Sequence, residues 1–374
     1  MFQHNRFDSD LTFIQKVKNL DYILLLSIIL LSAISVFVMY STDGGQILYH
    51  TKSHFIKLCI FFPLMLVISF FNIKFWHITS YLFYFIIVLL LAWASIDGIK
   101  VSGSQRWINL YFIVLQPSEL MKISVILCLA KYYHRLKIDN VNSFTNIVIA
   151  LTIIIIPIIL VISQPDLGTS ILIASSGLII LWLGGLKIKY FFISFITFLI
   201  SLPFIISFLK PYQKLRILTF LDPDRDPLGA GYQIIQSKIA IGSGGLTGKG
   251  FLKGTQSYLE FLPEKHTDFI FTLFSEEFGF FGSIGLLILY IVIISRIIRI
   301  GAISRSNFAR LFCFGFAFAI FIYIVVNLSM VLGLLPIVGS PLPIMSYGGS
   351  SMLATMIGFG IVLSAKINHK QTIS

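Results

Sequence analysis

Apolar runs recur along the whole chain, separated by short polar breaks, and most approach or exceed the ~20 residues that carry an α-helix across a bilayer. Read in order, they predict ten spans near 22–41, 54–71, 78–96, 118–134, 145–163, 169–186, 190–209, 269–294, 309–332 and 350–366. The expected fold is therefore all-α: a polytopic membrane protein forming one domain over 1–374, with no internal repeat and no soluble module. The polar breaks fall into two kinds. Those holding Lys74, Lys131/Arg135/Lys137, Lys187/Lys189, Arg296/Arg299/Arg305/Arg310 and Lys366/Lys370 alternate with breaks of a different character, and the amino-terminal segment adds Arg6, Lys16 and Lys18. Short basic loops stay in the cytoplasm. Both chain ends are expected there, since an even number of spans joins them.

The opposite side has short connections and one long one, about 210–268, rich in Pro, Gly and charge. Within it Tyr232, Ile235 and Ile239 recur at spacings of three and four before Gly242 and Gly244. That spacing predicts a short amphipathic helix on the membrane surface, although a core helix or a plain loop could carry the same residues.

Composition strengthens the membrane reading: 57% of the 374 residues are hydrophobic and 12% charged, against about a quarter charged in soluble domains. No cleavable leader is apparent, so the first span is expected to stay. A net charge of +12 would suggest nucleic acid in a soluble domain. Here about half of the basic residues sit in short loops between spans, so the charge reads as membrane orientation and no nucleic-acid partner is expected. Cys59, Cys128 and Cys313 each lie within an apolar run, and no CxxC or Cys/His metal spacing exists, which argues against a disulfide framework or a zinc site.

Ionisable groups are costly within a bilayer, so those inside or beside spans are functional candidates. Gln116-Pro117-Ser118-Glu119-Leu120-Met121-Lys122 reads as a helix start with Pro at an early position. Glu119 and Lys122, three apart, share a face and can pair, either in a working cavity or merely to fix packing. Asp268 leads a stripe with Thr272, Ser275, Glu276 and Gly279 on one face of the eighth span, as expected for a water-accessible cavity, while Glu277 points almost opposite. Alternatively, Asp268 is only a carboxylate favoured by the helix dipole. Asp166, in Gln164-Pro165-Asp166-Leu167-Gly168-Thr169, is a site carboxylate or simply a helix cap. Ser346-Tyr347-Gly348-Gly349-Ser350-Ser351 precedes the last span, where backbone N–H groups and hydroxyls could receive an anion; a plain turn fits equally.

Two other patterns are weaker. Gly244–Gly250 resembles a phosphate loop, but Ser243 and Gly250 stand where Gly and Ser/Thr are required. Asp222, Asp224 and Asp226 alternate like calcium ligands, yet Pro223 and Pro227 interrupt them and favour turns.

At these residues the sequence resembles the SEDS family (shape, elongation, division and sporulation proteins). Arg106-Trp107-Ile108, QPSELMK from Gln116, QPDLGTS from Gln164, DPDRDPLGAGYQ from Asp222, PEKHTDFIF from Pro263 and PLPIMSYGGSS from Pro341 follow the family's signatures in order, over nearly the whole chain. Lys265 before His266-Thr267-Asp268, and the short termini, are more similar to its rod-shape branch than to its division branch. The resemblance implies a ten-span peptidoglycan glycosyltransferase consuming lipid II outside the cytoplasmic membrane. It also implies a class B penicillin-binding protein as transpeptidase partner, since the chain has no serine-nucleophile motif in an outer domain; other membrane proteins of an elongation complex would be further partners. Asp268 corresponds to the family's essential outer carboxylate, and Glu119, Lys122 and Asp166 to polar residues of its central cavity.

The inventory suits that chemistry. A sugar hydroxyl attacking an anomeric carbon needs a proton acceptor, for which Asp268 is the candidate, whereas a departing diphosphate needs positive charge rather than an acid. Arg216, Lys249, Lys253 and Lys265, with Lys122 and Arg106, could supply it, as could a divalent cation such as Mg²⁺ or Mn²⁺. Ser346 and Ser350 are candidate hydrogen-bonding groups for the same anion. A lipid II flippase is the rival reading, favoured by the deeper charges Glu276 and Glu277; a non-catalytic scaffold would leave the Asp268 stripe unexplained.

Overall fold

The computed structural model describes residues 11–101, 104–109, 114–208, 211–226, 229–255 and 264–373. Each of the ten expected spans forms a helix. A short α1 (Phe13–Lys18) precedes α2 (Tyr22–Thr42), α3 (Tyr49–Phe70), α4 (Ile73–Asp97), α5 (Pro117–Arg135), α6 (Phe144–Ser163), α7 (Leu167–Leu183) and α8 (Ile188–Phe208). The long connection contains α9 (Pro211–Leu221) and α10 (Ala230–Ser243), and leads to α11 (Ile270–Ile303), α12 (Asn307–Val331) and α13 (Gly349–Ile367). Stretch 256–263 of that connection, with Pro263, lies outside the described residues.

Seven of these helices are long and apolar enough to cross a membrane, and α7 and the apolar part of α8 are shorter. The remaining expected span, α5, holds Glu119, Lys122, Lys131 and Arg135, and all but its last turn is buried. Its solvent is protein: α4, α7, α12 and α13 all pack on it. Charge is therefore tolerated at the centre of the bundle, whereas α8 exposes Phe192, Ile193, Phe195, Ile196 and Phe198 outward, as lipid contact requires and water would not.

At one end of the bundle the basic loops meet. Arg296 near the end of α11 bonds both oxygens of Asp21, at 3.2 and 2.6 Å, while Asp21 also caps α2. Helix α11 thus runs on past the expected limit near 294, because hydropathy marks the bilayer and not the helix end. The other end carries the polar motifs. Between α4 and α5 it also carries a feature the all-α expectation omitted, a three-stranded antiparallel sheet of β1 (Ile99–Val101), β2 (Ser104–Asn109) and β3 (Val114–Leu115) in order β1-β2-β3. Trp107 pairs with Ile99, and Ile108 with Leu115.

The amphipathic helix of the long connection is present as α10, with a different inner face. Ile234, Ser237 and Ala240 are buried, while Ile239 is exposed and Tyr232 and Ile235 are half-buried. Ser237 Oγ donates to the Val331 carbonyl at 2.7 Å and meets Thr272 Oγ1 at 2.8 Å, so a hydroxyl network selects that face where apolar periodicity favoured another.

The stripe expected below Asp268 is also corrected. Asp268 lies in a turn before α11, and Thr272 and Glu276 face protein, with Glu276 Oε1 accepting from Lys249 Nζ at 2.6 Å and from Thr255 N and Oγ1. Helix α11 is interrupted at Gly279 (φ 64°, ψ −161°). The segment after α10 fills the break: Lys249 N and Gly250 N donate to the Glu276 and Glu277 carbonyls, and Phe280 N and Phe281 N to those of Gly245 and Leu246. Backbone groups freed by a broken helix must be satisfied within protein when water is scarce. A Cβ on Gly279 would lie 2.2 Å from Gly248 N, whereas one on Gly285 would meet nothing within 4 Å. Gly279→Ala is therefore expected to cost about 2 kcal/mol or more, lowering the thermal midpoint of purified protein in detergent. Gly285→Ala should leave it near wild type. Equal midpoints for the two variants would show that the break does not need glycine.

Candidate active site

The polar end encloses a cavity of about 430 Å³ lined by Arg106, Gln116, Glu119, Asp166, Arg216, Glu264, Asp268, Gly339, Tyr347, Gly348, Ser350 and others. Residues from several separate elements at this end contribute. β2 presents Arg106, the first turn of α5 presents Glu119, the cap of α7 is Asp166, and α9 supplies Arg216. The amino-terminus of α13 opens onto the same space through Gly348, Ser350 and Ser351, as an anion site would require.

Asp268 stands in the turn between the long connection and α11. Three consecutive carbonyls of that turn are held: His266 by Tyr347 N at 2.8 Å, Thr267 by Ser346 Oγ at 2.6 Å and Asp268 by Asn327 Nδ2 at 2.9 Å. The side chain is left uncommitted, and among the described residues it forms no ion pair or hydrogen bond. Gly339, at φ 71°, lines the same cavity beside it, and a Cβ there would be in ordinary contact with Oδ2 at 3.6 Å. Protein surrounds the carboxyl on its other sides. Burial raises its pKa most, Glu264 raises it further, Arg216 opposes both, and Asp166 and Glu119 add small increases, for a value pushed up to about 7.

Asp166 is both a cap and a site residue. Its Oδ1 accepts from Thr169 N at 3.1 Å, while Oδ2 lies 3.2 Å from Arg106 Nη1 and accepts from Gln116 Nε2. Arg106 also donates to the carbonyls of Gln164 and Pro165, so the sheet is clamped onto the start of α7. Arg216 is exposed and donates to the Ile337 carbonyl at 3.1 Å. Among the described residues its charge has no carboxylate partner within ion-pair distance, and it lines the cavity.

Several expected ligands have other duties. Lys122 is buried under the cavity, 2.8 Å from Glu119 Oε1 and over the Tyr323 ring, while Tyr323 Oη donates to Glu119 Oε2. Ser346 Oγ is consumed in accepting from Leu342 N and donating to Thr267 O, so it positions the turn instead of facing substrate. Ser350 lines the cavity and accepts from Gln116 N at 2.9 Å. Lys249 belongs to the Glu276 network, and Lys265 lines a separate cavity on the other side of the turn. Their like charge made them candidates, but the broken helix and the turn direct them away. Asn327 was missed, although an amide buried near the end of an otherwise apolar span is a signal that something must use it. The aspartate run is a turn, with Asp222 paired to Arg225 at 2.8 Å.

With this geometry in view, the relatives are informative. Residues 17–371 match the family described as cell cycle proteins of the FtsW/RodA/SpoVE type. The chain is 48% identical over 291 residues to the peptidoglycan glycosyltransferase MrdB of Escherichia coli K12, covering 78% of each chain. It matches a chain of a solved peptidoglycan synthase complex, described for its structural coordination of polymerization and crosslinking, with TM-score 0.81, 30% identity and coverage of 94% and 98%. The rod shape determining protein RodA of Thermus thermophilus shares the fold, at TM-score 0.71 and 24% identity over 94% and 98% of the two chains. The chain belongs to the FtsW/RodA/SpoVE, or SEDS, family and is RodA-like within it.

Proposed function

We propose that the chain polymerises lipid II into glycan strands at the outer face of the cytoplasmic membrane, with Asp268 as the general base. It is a peptidoglycan glycosyltransferase by its likeness to the MrdB enzyme, and the reading of its site rests on one observation: a buried carboxylate, unpaired among the described residues and with its pKa pushed up to about 7, at the wall of a cavity that also holds cationic groups. A base of that pKa is matched to proton transfer near neutrality.

In the proposed step the acceptor's sugar hydroxyl attacks the anomeric carbon of the donor. The new C–O bond forms as the bond to the lipid diphosphate breaks. The diphosphate leaves with the bonding electrons, and the hydroxyl proton passes to Asp268. Arg216, which lines the cavity and has no carboxylate partner among the described residues, and the amino-terminus of α13 are the groups best placed to receive the negative charge. Arg106 has part of its charge balanced by Asp166, and buried Lys122 acts through Glu119. A divalent cation, Mg²⁺ or Mn²⁺, would be held by Glu264 and the substrate's own phosphates, and would supply further neutralisation there.

Neither Glu276 nor Glu277 lines this cavity, which weakens the transport reading that they favoured. A class B penicillin-binding protein is the proposed partner, supported by the fold shared with a complex that couples polymerization and crosslinking. Both termini lie in the cytoplasm in this reading, and the connection from α8 to α11 lies outside.

Two measurements test the proposal. In liposomes supplied with labelled lipid II and the partner, wild-type protein should give glycan ladders, and Asp268→Asn should lower the initial rate by at least about 10²-fold with little change in lipid II affinity. A variant keeping more than about a tenth of the rate would remove Asp268 as base, and lipid movement without ladders would favour the flippase. For topology, Cys59 is exposed while Cys128 and Cys313 are buried, so the test uses a Cys59→Ser background. Lys253→Cys should react with an impermeant thiol reagent in intact spheroplasts. Reaction only after permeabilisation would invert the assignment.

A further inference from the structure

The turn that carries Asp268 has a second face. Behind it lies a cavity of about 330 Å³, separate from the proposed active site, lined among others by Asp43, His50, Lys265, His266 and Glu277. Asp43 closes α2, His50 opens α3, and His266 belongs to the turn itself. One ligating atom from each of these three residues lies within 4.8 Å of the others. We propose that Asp43, His50 and His266 bind a divalent transition-metal ion of the zinc class.

The hydrogen-bond network around the triad is what points to a cation. Thr42 Oγ1 donates its proton to the Met39 carbonyl at 2.7 Å, so toward His266 Nδ1, 2.9 Å away, it acts as acceptor. A neutral His266 ring therefore carries its proton on Nδ1 and presents the Nε2 lone pair. That lone pair faces Asp43 Oδ1 at 3.9 Å, and His50 Nδ1 approaches the same oxygen at 3.6 Å. The other carboxylate oxygen, Oδ2, is already held by Thr51 N at 2.9 Å and Thr51 Oγ1 at 2.6 Å. Two acceptors thus face one another across a gap that a metal ion fits, with Asp43 and His266 each oriented by a hydrogen bond behind it and His50 stacked on the His266 ring. Metal sites are built in this way.

A tetrahedral site with bonds of ~2.0 to 2.1 Å places its ligand atoms ~3.3 Å apart. The two separations measured to Asp43 must shorten by roughly 0.3 and 0.6 Å, and the two imidazoles, stacked at 4.0 Å between ring centroids, must turn so that both nitrogens face the ion. Two imidazoles and one carboxylate suit Zn²⁺ and its first-row neighbours, not Mg²⁺ or Ca²⁺, which prefer oxygen alone. Water has room to complete the sphere. Glu277 supplies a second indication: one of its oxygens accepts from Ser41, and the other, Oε2, is buried on the wall of this cavity with no well-aligned hydrogen-bond partner among the described residues, the backbone N–H groups of Leu252 and Gly254 lying beside the carboxylate. A metal-bound water is a donor that could satisfy it. The site would join the end of α2, the start of α3 and the turn, and so fix Asp268 two residues beyond His266; its role is positioning, distinct from any cation at the diphosphate.

The test reads metal directly. Untagged full-length protein in detergent is equilibrated with Zn²⁺, dialysed, and assayed for zinc by elemental analysis, and its affinity is measured by competition with a chromophoric chelator. Wild type should retain about one zinc per chain, and Co²⁺ in its place should give the visible bands of a tetrahedral nitrogen-oxygen site. Second-shell changes typically cost about 10- to 100-fold in affinity, so Thr51→Val should weaken binding about tenfold, and the ligand changes His50→Ala and Asp43→Asn by more than about 100-fold. Zn²⁺ should raise the thermal midpoint of wild type and not of His50→Ala. Wild type that retains no zinc, or His50→Ala and Asp43→Asn that remain folded and bind it undiminished, would overturn the proposal. None of these readouts depends on polymerisation, so failure here is distinguishable from failure of the glycosyltransferase reading.

Discussion

A carboxylate that takes a proton near neutrality must be withdrawn from water without gaining a cation of its own, since an ion pair would return its pKa to the acid range. Asp268 meets that constraint through its backbone. With the carbonyls of His266, Thr267 and Asp268 held by Tyr347, Ser346 and Asn327, the turn is fixed from residues of α12 and the loop before α13, and the side chain needs no anchor. An anchored carboxylate would be well positioned but weakly basic. This one is positioned and basic.

The rest of the bundle follows from keeping polar groups at one end of an apolar object. Helix α5 carries charge in its centre because α4, α6, α7, α12 and α13 surround it, and Glu119 and Lys122 satisfy each other beneath the cavity. The break in α11 serves the same end. By accepting the 244–250 segment into the gap at Gly279, the fold closes Glu276 and Lys249 into an internal network, and among the described residues Arg216 lines the cavity beside Asp268 with no carboxylate bound to it. A polar stripe that could have been a transport path is thereby sealed by hydrogen bonds.

Much of this was legible in the sequence. Each expected span became a helix, because a bilayer demands long apolar segments and the chain supplies them. Asp268, Glu119, Asp166, Arg106, Arg216 and Ser350 meet at one cavity, as the motifs suggested. What failed did so where three-dimensional pairing outranks local pattern. The inner face of α10 was chosen by Ser237 against Thr272, a contact without a local signal. Lys249 and Lys265 looked like diphosphate ligands because charge can be counted along a chain whereas direction cannot. Asp43 and His50 sit far in sequence from His266, so only the folded chain brings them together, and the short sheet holding Arg106 is too brief for strand periodicity to declare.

The central claim is that Asp268, in its raised-pKa state, is the group whose ionisation permits polymerisation. Its most direct test is the pH dependence of kcat/KM for lipid II polymerisation by the protein with its partner. Because the folded pKa lies above the ordinary carboxylate value, the base is protonated and inactive over a wider acid range. The rate should be near its plateau at about pH 8, fall to half near pH 7, and drop roughly tenfold for each further unit down to about pH 5. A profile flat between about pH 5 and pH 8 would contradict the account, since it would mean that the carboxylate titrates below that range or takes no proton in the reaction.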